Sequence, residues 1–559
     1  MDMPILVLAA LCACLGIMSH AIYFSRGEHA LSAHWLIAAV GICPSMMVLS
    51  LALLADMSPM KAARVTFVAE TAYVGSVFAS MAVYRAFLHP LRNFPGPKLA
   101  ALSQIYHFLS VRRRVNNYKH IHRLHVQYGD YVRVGPNLLS VADPNMAERI
   151  HSQLSKADWY DIGQPLTNLA QIRDRSLHAR RRRHGWDEAF SMKALRAYDL
   201  RVVKYADQLV SQIHARSGDV VSATDWLHWY AFDVMGDLAF GRSFGGLEKG
   251  QSHIYIKTIH ETSPLPLGCL GTMPWLIQVM MSLVPDRLNA FTRLIHYSSD
   301  CIEERKRRKP TVPDIMSPII EAGTFFPDAK RDQLLLVGDA RLLIIAGSDT
   351  VASTLIHSFY HLARDPSLVR RIRQELNANF IQNDGSFSIQ KLQHLEYLNA
   401  FIQETLRMHP TNPGGLFRQT PPGGVTIGGH FLPGGVKVVS PHYTVQRSPK
   451  AFTYPDEFIP ERWTTRRELV LNKNAWCAFS FGRFACIGKN LAFNELGTVI
   501  CKMVLEFDIS FGPGETGERM LEESKDVFTM IMARLDLRFT TRRRISHQED
   551  EEKISNGFQ

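Results

Sequence analysis

Three apolar runs occupy the first ninety residues, and they restrict that part of the chain to helices lying in or across a bilayer. "ILVLAALCACLGIMSHAIYF", Ile5 to Phe24, carries no formal charge at neutral pH. "LSAHWLIAAVGICPSMMVLSLALLA", Leu31 to Ala55, and "VTFVAETAYVGSVFASMAVYRAF", Val65 to Phe87, follow it. A helix of about 20 residues matches a hydrocarbon core of about 30 Å. Lipid offers no hydrogen bonds to backbone groups, so a spanning segment must satisfy them internally. Pro44 kinks the second run without ending it, and Glu70 weakens the start of the third. A removable signal peptide fits poorly. Only Asp2 precedes the first run, where a basic region is needed, and two more apolar runs follow at once.

Basic residues set the orientation. Arg85, Arg92, Lys98, Arg112, Arg113, Arg114 and Lys119 lie at or past the end of the third run. The positive-inside tendency places that end in the cytosol. Three crossings then put the amino terminus in the lumen and Arg26 in a cytosolic loop, with Lys61 and Arg64 on the disfavoured side. One span with further packed or re-entrant helices is the alternative. The formal net charge of +11 suits an anionic membrane surface or an acidic partner protein. No finger spacing or repeated aromatic-basic pattern supports nucleic-acid binding. Beyond the apolar runs the cysteines are Cys269, Cys301, Cys477, Cys486 and Cys501. They are too sparse for a disulfide framework and suit a reducing compartment.

The chain therefore divides into a membrane region, 1–88, a proline-glycine hinge, 89–100 ("HPLRNFPGPKLA"), a large domain, 101–545, and a polar tail, 546–559, expected to be disordered. Within the large domain "YGDYVRVGPNLLSVADPNMAERI" reads as strand, turn, strand and a helix capped near Asp143. From about Arg181 to Gly512 most segments read as helical. The fold class is mainly α with small β-sheets.

Three stretches bear chemistry. "DQLLLVGDARLLIIAGSDTVASTLIHSFYHLA", Asp332 to Ala363, reads as a helix through the domain centre. Inside it Ala346 and Gly347 leave room for a ligand to approach the backbone. Asp349 and Thr350 place a carboxylate and a hydroxyl beside that opening. A cap or kink in a core helix is the plainer account, since Thr bonds carbonyls three or four residues back. In "LQHLEYLNAFIQETLRMHP" Glu404 and Arg407 share a helix face, and Arg462 of "FIPERW" could join them in a buried network. A surface ion pair is the plainer account there. In "FSFGRFACIGKNLA" Cys486 stands between Gly482 and Gly488, just ahead of a helical run. Backbone donors and the helix dipole there favour a thiolate, able to act as ligand or nucleophile. No base lies near in sequence for a nucleophile, and no paired motif supplies the further ligands of a zinc site. A buried free thiol also remains open.

These motifs, in this order, resemble the cytochrome P450 family of haem-thiolate monooxygenases, over roughly His89 to Arg543. The resemblance implies the cytochrome P450 fold preceded by transmembrane helices, with haem b held by Cys486 as axial iron ligand. It implies that Asp349 and Thr350 deliver protons on the distal face, with Ala346 and Gly347 in the substrate pocket, and that Glu404, Arg407 and Arg462 form a structural network. One position departs. Where the family usually has an Arg two residues before the Cys, here stands Phe484. Arg483 from a shifted position, Arg418, and Arg182 or Arg183 of "HARRRRHGW" are the candidates for the haem propionates, and "HG" there looks like an insertion.

The expected reaction hydroxylates or otherwise oxidises a lipophilic small molecule with molecular oxygen. By analogy with fungal members of the endoplasmic reticulum, the substrate is a secondary metabolite such as a terpenoid. No flavin or nicotinamide fingerprint is evident. Electrons then come from NADPH through a separate NADPH-cytochrome P450 reductase, with cytochrome b5 a candidate second donor. Basic runs, "ERKRRKP" among them, are candidate docking sites. The expected setting is the endoplasmic reticulum membrane, multi-pass, with the catalytic domain facing the cytosol and in contact with membrane lipids. Desaturation, ring formation or rearrangement by the same centre is the nearest alternative. A non-catalytic membrane scaffold is the remote one.

Overall fold

The computed structural model describes residues 5–29, 31–284, 290–308, 312–380 and 387–542. The polar tail lies outside them. Three helices are long and apolar enough to cross a membrane: Ile5–Phe24, Ala33–Leu54 and Pro59–Leu88. The third begins six residues before the run read from the sequence. Ser58 caps it by accepting from Lys61 N, and Pro59 opens it. Hydropathy had trimmed this first turn and a half because Lys61 and Arg64 lie in it. At 30 residues the helix is about 45 Å long, longer than a hydrocarbon core of about 30 Å.

Small residues let the first and third helices touch. A Cβ at Gly16 would sit 2.4 Å from Tyr73 O and 2.0 Å from Ser76 Oγ, so only glycine permits this approach. Two hydrogen bonds extend the seam: Tyr73 Oη to Ser19 Oγ at 3.1 Å and His20 Nδ1 with Ser80 Oγ at 2.9 Å.

The second apolar helix packs on Pro274–Leu283 of the large domain, and side-chain hydrogen bonds fasten the membrane region to that domain at two further places. At the end of the third helix Arg85 donates to Leu102 O at 2.7 Å, and Arg133 donates to Arg85 O at 3.0 Å. Between the first two helices Glu28 receives both terminal nitrogens of Arg173, at 2.8 and 2.7 Å. The loop holding Glu28 and the end of the third helix therefore lie on the same side as the large domain, as three crossings require.

That domain is mainly helical. The central helix, Ala329–Arg364, runs 36 residues without a break. It packs against Ala223–Phe240, Ala290–Arg307 and Lys489–Glu506, and these share one large apolar core with Met192–His214. Thr350 Oγ1 does bond Ala346 O, at 2.8 Å, yet the helix continues through it.

The β-structure is peripheral. A five-stranded sheet runs in the order Tyr131–Gly135, Leu138–Val141, Lys437–Ser440, Leu416–Gln419, Ser155–Lys156. The first two strands and the helix Pro144–Gln153, with Asp143 accepting from Asn145 N at 3.0 Å, follow the sequence reading. A three-stranded sheet and two hairpins complete it. The outermost pairing of the large sheet sets Lys156 directly opposite Arg418. Like charges in that position repel, and the pair bears on the site.

Candidate active site

One cavity of about 320 Å³ lies between the central helix and the loop ahead of Lys489–Glu506. Cys486 is on one wall; Ala346, Gly347 and Thr350 are on the other. Most of the remaining lining is apolar, including Met235, Leu342, Val351 and Leu491.

The cysteine loop is held by its backbone. Cys486 N donates to Phe479 O at 2.9 Å, and Ala485 N to Gly482 O at 3.0 Å. The sulfur is open to the cavity but deep in the protein. Burial pushes the thiol pKa up, against the opposing pull of the Gly488 and Lys489 amides and the charge of Arg182. Burial thus opposes the helix amino end here, and a bound metal would shift the balance toward the thiolate.

The central helix presents its notch differently on its two sides. Thr350 faces the cavity, whereas Asp349 is buried and not among its lining residues. Its carboxylate instead meets His260 Nε2 at 3.0 Å. At Gly347 an added Cβ would fall 2.6 Å from Met235 Cε. The glycine thus admits Met235 of the neighbouring helix, a packing role the sequence did not disclose.

Glu404, Arg407 and Arg462 are brought together with their side chains fully buried. Glu404 takes two bonds from Arg407, at 2.8 and 2.9 Å, and one from Arg462, at 2.9 Å. Ile459 N and Trp463 Nε1 complete its shell at 2.9 and 3.0 Å. Arg407 also reaches three carbonyls, of Gln446, Pro455 and Glu457, at 2.9, 2.6 and 3.0 Å. The surface-pair account fails here, because five donors converge on one carboxylate.

The four arginines of "HARRRR" separate in space. Arg180 donates to Phe325 O, and Arg181 pairs with Asp339 at 2.7 Å in the core. Arg182 lines the cavity and donates to Arg483 O and Ala485 O at 3.1 and 3.2 Å. Arg183 is exposed. The helix that carries them kinks just after Arg183, where His184 and Gly185 leave helical geometry and Gly185 has φ +112. Of the propionate candidates, neither Arg183 nor Arg483, both exposed, lines the cavity. Arg182 and Arg418 do.

Lys156, which the sequence reading passed over, joins them. Its Nζ donates to Leu169 O and Ile172 O, both at 3.0 Å. Burial and the charge of Arg418 pull its pKa well below the ordinary lysine value. Arg418 is buried, and its Nε has no hydrogen-bond partner among the described residues. Phe484 sits among these groups. Lys156 Nζ is 4.6 Å and Arg418 Cζ 5.5 Å from its ring centre, and His178 meets it edge-on at 4.8 Å. A π face thus receives cations where a third guanidinium would repel them. Two buried cations side by side at a cavity wall call for an anion, which fits the carboxylates of haem. Glu495 also lines the cavity. Both its oxygens lack a hydrogen-bond partner among the described residues, and burial raises its pKa well above the carboxylate range.

The basic run "ERKRRKP" is less available than expected. Arg305 is buried against Asp314, and Arg308 pairs with Glu304 at 2.6 Å. Lys309 and Pro310 lie outside the described residues.

A model of the cytochrome P450 family matches residues 95–539. Cytochrome P450 monooxygenase FCK2 of Fusarium pseudograminearum is 34% identical over 535 residues, covering 94% of this chain and 96% of its own length. Tryprostatin B 6-hydroxylase of Aspergillus fumigatus is 34% identical over 540 residues, covering 94% and 95%. The crystal structure of the cytochrome P450DA heme domain superposes with a TM-score of 0.65 at 19% identity, over 80% of this chain and 98% of that one. At that identity it speaks for the fold alone. With the cysteine loop facing the central helix across one cavity, the chain belongs to the cytochrome P450 family of haem-thiolate monooxygenases. It is a fungal-type member, carrying three helices ahead of the family's fold that are long and apolar enough to cross a membrane.

Proposed function

We propose that this monooxygenase oxidises a lipophilic secondary metabolite, such as a terpenoid, at the endoplasmic reticulum membrane. Its catalytic domain faces the cytosol, and its electrons come from NADPH through a separate reductase, with cytochrome b5 a second donor. The supporting observation is the shared cavity: Cys486 on one wall, Thr350 and Ala346–Gly347 on the other, and buried cations at the side. Haem b bound there would supply oxygen activation and substrate oxidation. Cys486 would ligate its iron, and Lys156, Arg182 and Arg418 would hold its carboxylates. Met235, Leu342 and Val351 exclude water and accept an apolar substrate. Thr350 Oγ1 gives up its bond to Ala346 O and passes protons at the cavity face. Asp349 resupplies it from the His260 side.

Co-expression with a reductase in a terpenoid-producing host, followed by product identification, tests this reading. Tryprostatin B belongs in the same assay, since it is named as the substrate of a relative. A desaturated, cyclised or rearranged product without an added oxygen atom would favour the alternative chemistry. No conversion of any supplied compound by holoenzyme with reductase would reject the substrate class.

The propionate assignment makes a separate prediction. Lys156→Met should lower the haem retained per purified chain several-fold, because the haem carboxylates would lose one of the side chains proposed to hold them. Phe484→Arg should give no gain, since it adds a guanidinium beside two existing cations. Haem content measured by pyridine extraction checks both. Higher haem content in Phe484→Arg than in the parent would show that the aromatic ring is a defect and not a substitute.

A further inference from the structure

Behind the central helix, turned from the cavity, three metal-ligating side chains meet: His228, His260 and Asp349. His228 is buried on Ala223–Phe240. Its Nδ1 lies 2.8 Å from Thr224 O. A carbonyl only accepts, so Nδ1 carries the proton and Nε2 is left with a bare lone pair. That Nε2 has no hydrogen-bond partner among the described residues. Buried polar atoms in this condition call for an explanation, an unseen ion among them. His260, on Ile254–Thr262, offers a second imidazole, and Asp349 a carboxylate. One donor atom from each lies within 4.8 Å of the others.

Two imidazoles and a carboxylate form a donor set used for zinc, with a carbonyl on the far nitrogen fixing a ligand's tautomer. Zinc bonded at about 2.0–2.1 Å in a tetrahedron holds its donors about 3.3 Å apart. The present set, within 4.8 Å, would have to draw in to that spacing on binding. The His260 side chain is 22% exposed, which gives an ion a way in from solvent.

We propose that His228, His260 and Asp349 form a site for a divalent transition cation of the zinc class, with a fourth position left for water. The ion engages the carboxylate that otherwise exchanges protons with Thr350, so occupancy depresses product yield. That consequence rests on the proton-carrying role given to Asp349; the binding itself does not.

The test uses full-length holoenzyme in detergent, titrated with zinc chloride in competition with a chromophoric chelator. The expected result is one zinc per chain with a dissociation constant of about 10 μM or tighter. Affinity should weaken at least tenfold in His260→Gln and, independently, in Asp349→Asn. Thermal unfolding and the carbon-monoxide spectrum of each variant establish that it is folded. Zinc should also reduce product formed per NADPH consumed, with recovery on adding EDTA. No zinc bound by the parent, or equal binding in both variants, overturns the site. Zinc bound at the site with unchanged product yield upholds the site and removes Asp349 from proton delivery.

Discussion

Cys486→Ala should form no product above background, while the polypeptide still folds. The loop around residue 486 is fixed by backbone bonds, Cys486 N to Phe479 O and Ala485 N to Gly482 O, which alanine keeps. The sulfur contributes little to that scaffold. Its loss should instead remove the thiolate signature from the spectrum of reduced, carbon-monoxide-bound protein and lower haem content. The other cysteines offer no replacement. Cys477 is buried, with burial driving its thiol pKa far up, and it does not line the cavity. Cys501 is buried in the core on the helix that follows. The decisive measurements are the carbon-monoxide difference spectrum, haem per chain and turnover with added reductase. A variant that retained the thiolate band would mean that the iron is held from another position.

The second large effect is on stability. Glu404→Gln should destabilise the domain by about 3–5 kcal/mol, the range for breaking a buried ion pair by removing one partner. Gln preserves the shape, and this makes the substitution informative. Five N–H donors converge on the Glu404 carboxylate, from Arg407, Arg462, Ile459 and Trp463. An amide offers one oxygen, and its NH₂ would confront donors where an acceptor is required. Two guanidiniums would also remain buried without a counter-charge. Against a typical total stability of about 5–15 kcal/mol, such a loss removes much of the folded population. Equilibrium denaturant titration of the full-length protein, parent against variant, measures it. A shift under about 0.5 kcal/mol would show that the carbonyl oxygens around Arg407 and Arg462 suffice alone.

How much of this was legible in the sequence depends on how local each signal is. The spans, the strand pair ahead of Asp143 and the central helix are set by runs of neighbouring residues, and their periodicity showed them. Ends were harder. Charged residues in the first turns of the third span masked it, and Leu392 belongs to a short separate helix, Ile389–Leu392, ahead of Glu396–Met408. The Glu404–Arg407 pair was visible at helical spacing, but its burial was not, because the carbonyls that enclose it come from residues 446–457.

Lys156 could not be found by any motif. It acquires meaning only from the sheet that sets it against Arg418, more than two hundred residues away. The same holds for His260, which reaches Asp349 from a different helix. Of the four consecutive arginines, only the fold could say which one faces the cavity, since the partners of each lie far along the chain. Lone residues whose partners lie far along the chain leave no pattern in the sequence.

Fastening at both Glu28 and Arg85 has a mechanical consequence. A body hung from one flexible stem swivels freely, whereas one pinned at two separate points can only rock about the line joining them. Arg173 grips the loop between the first and second helices, and Arg133 grips the end of the third. Swivelling of the large domain about a single stem is thereby opposed by the protein itself.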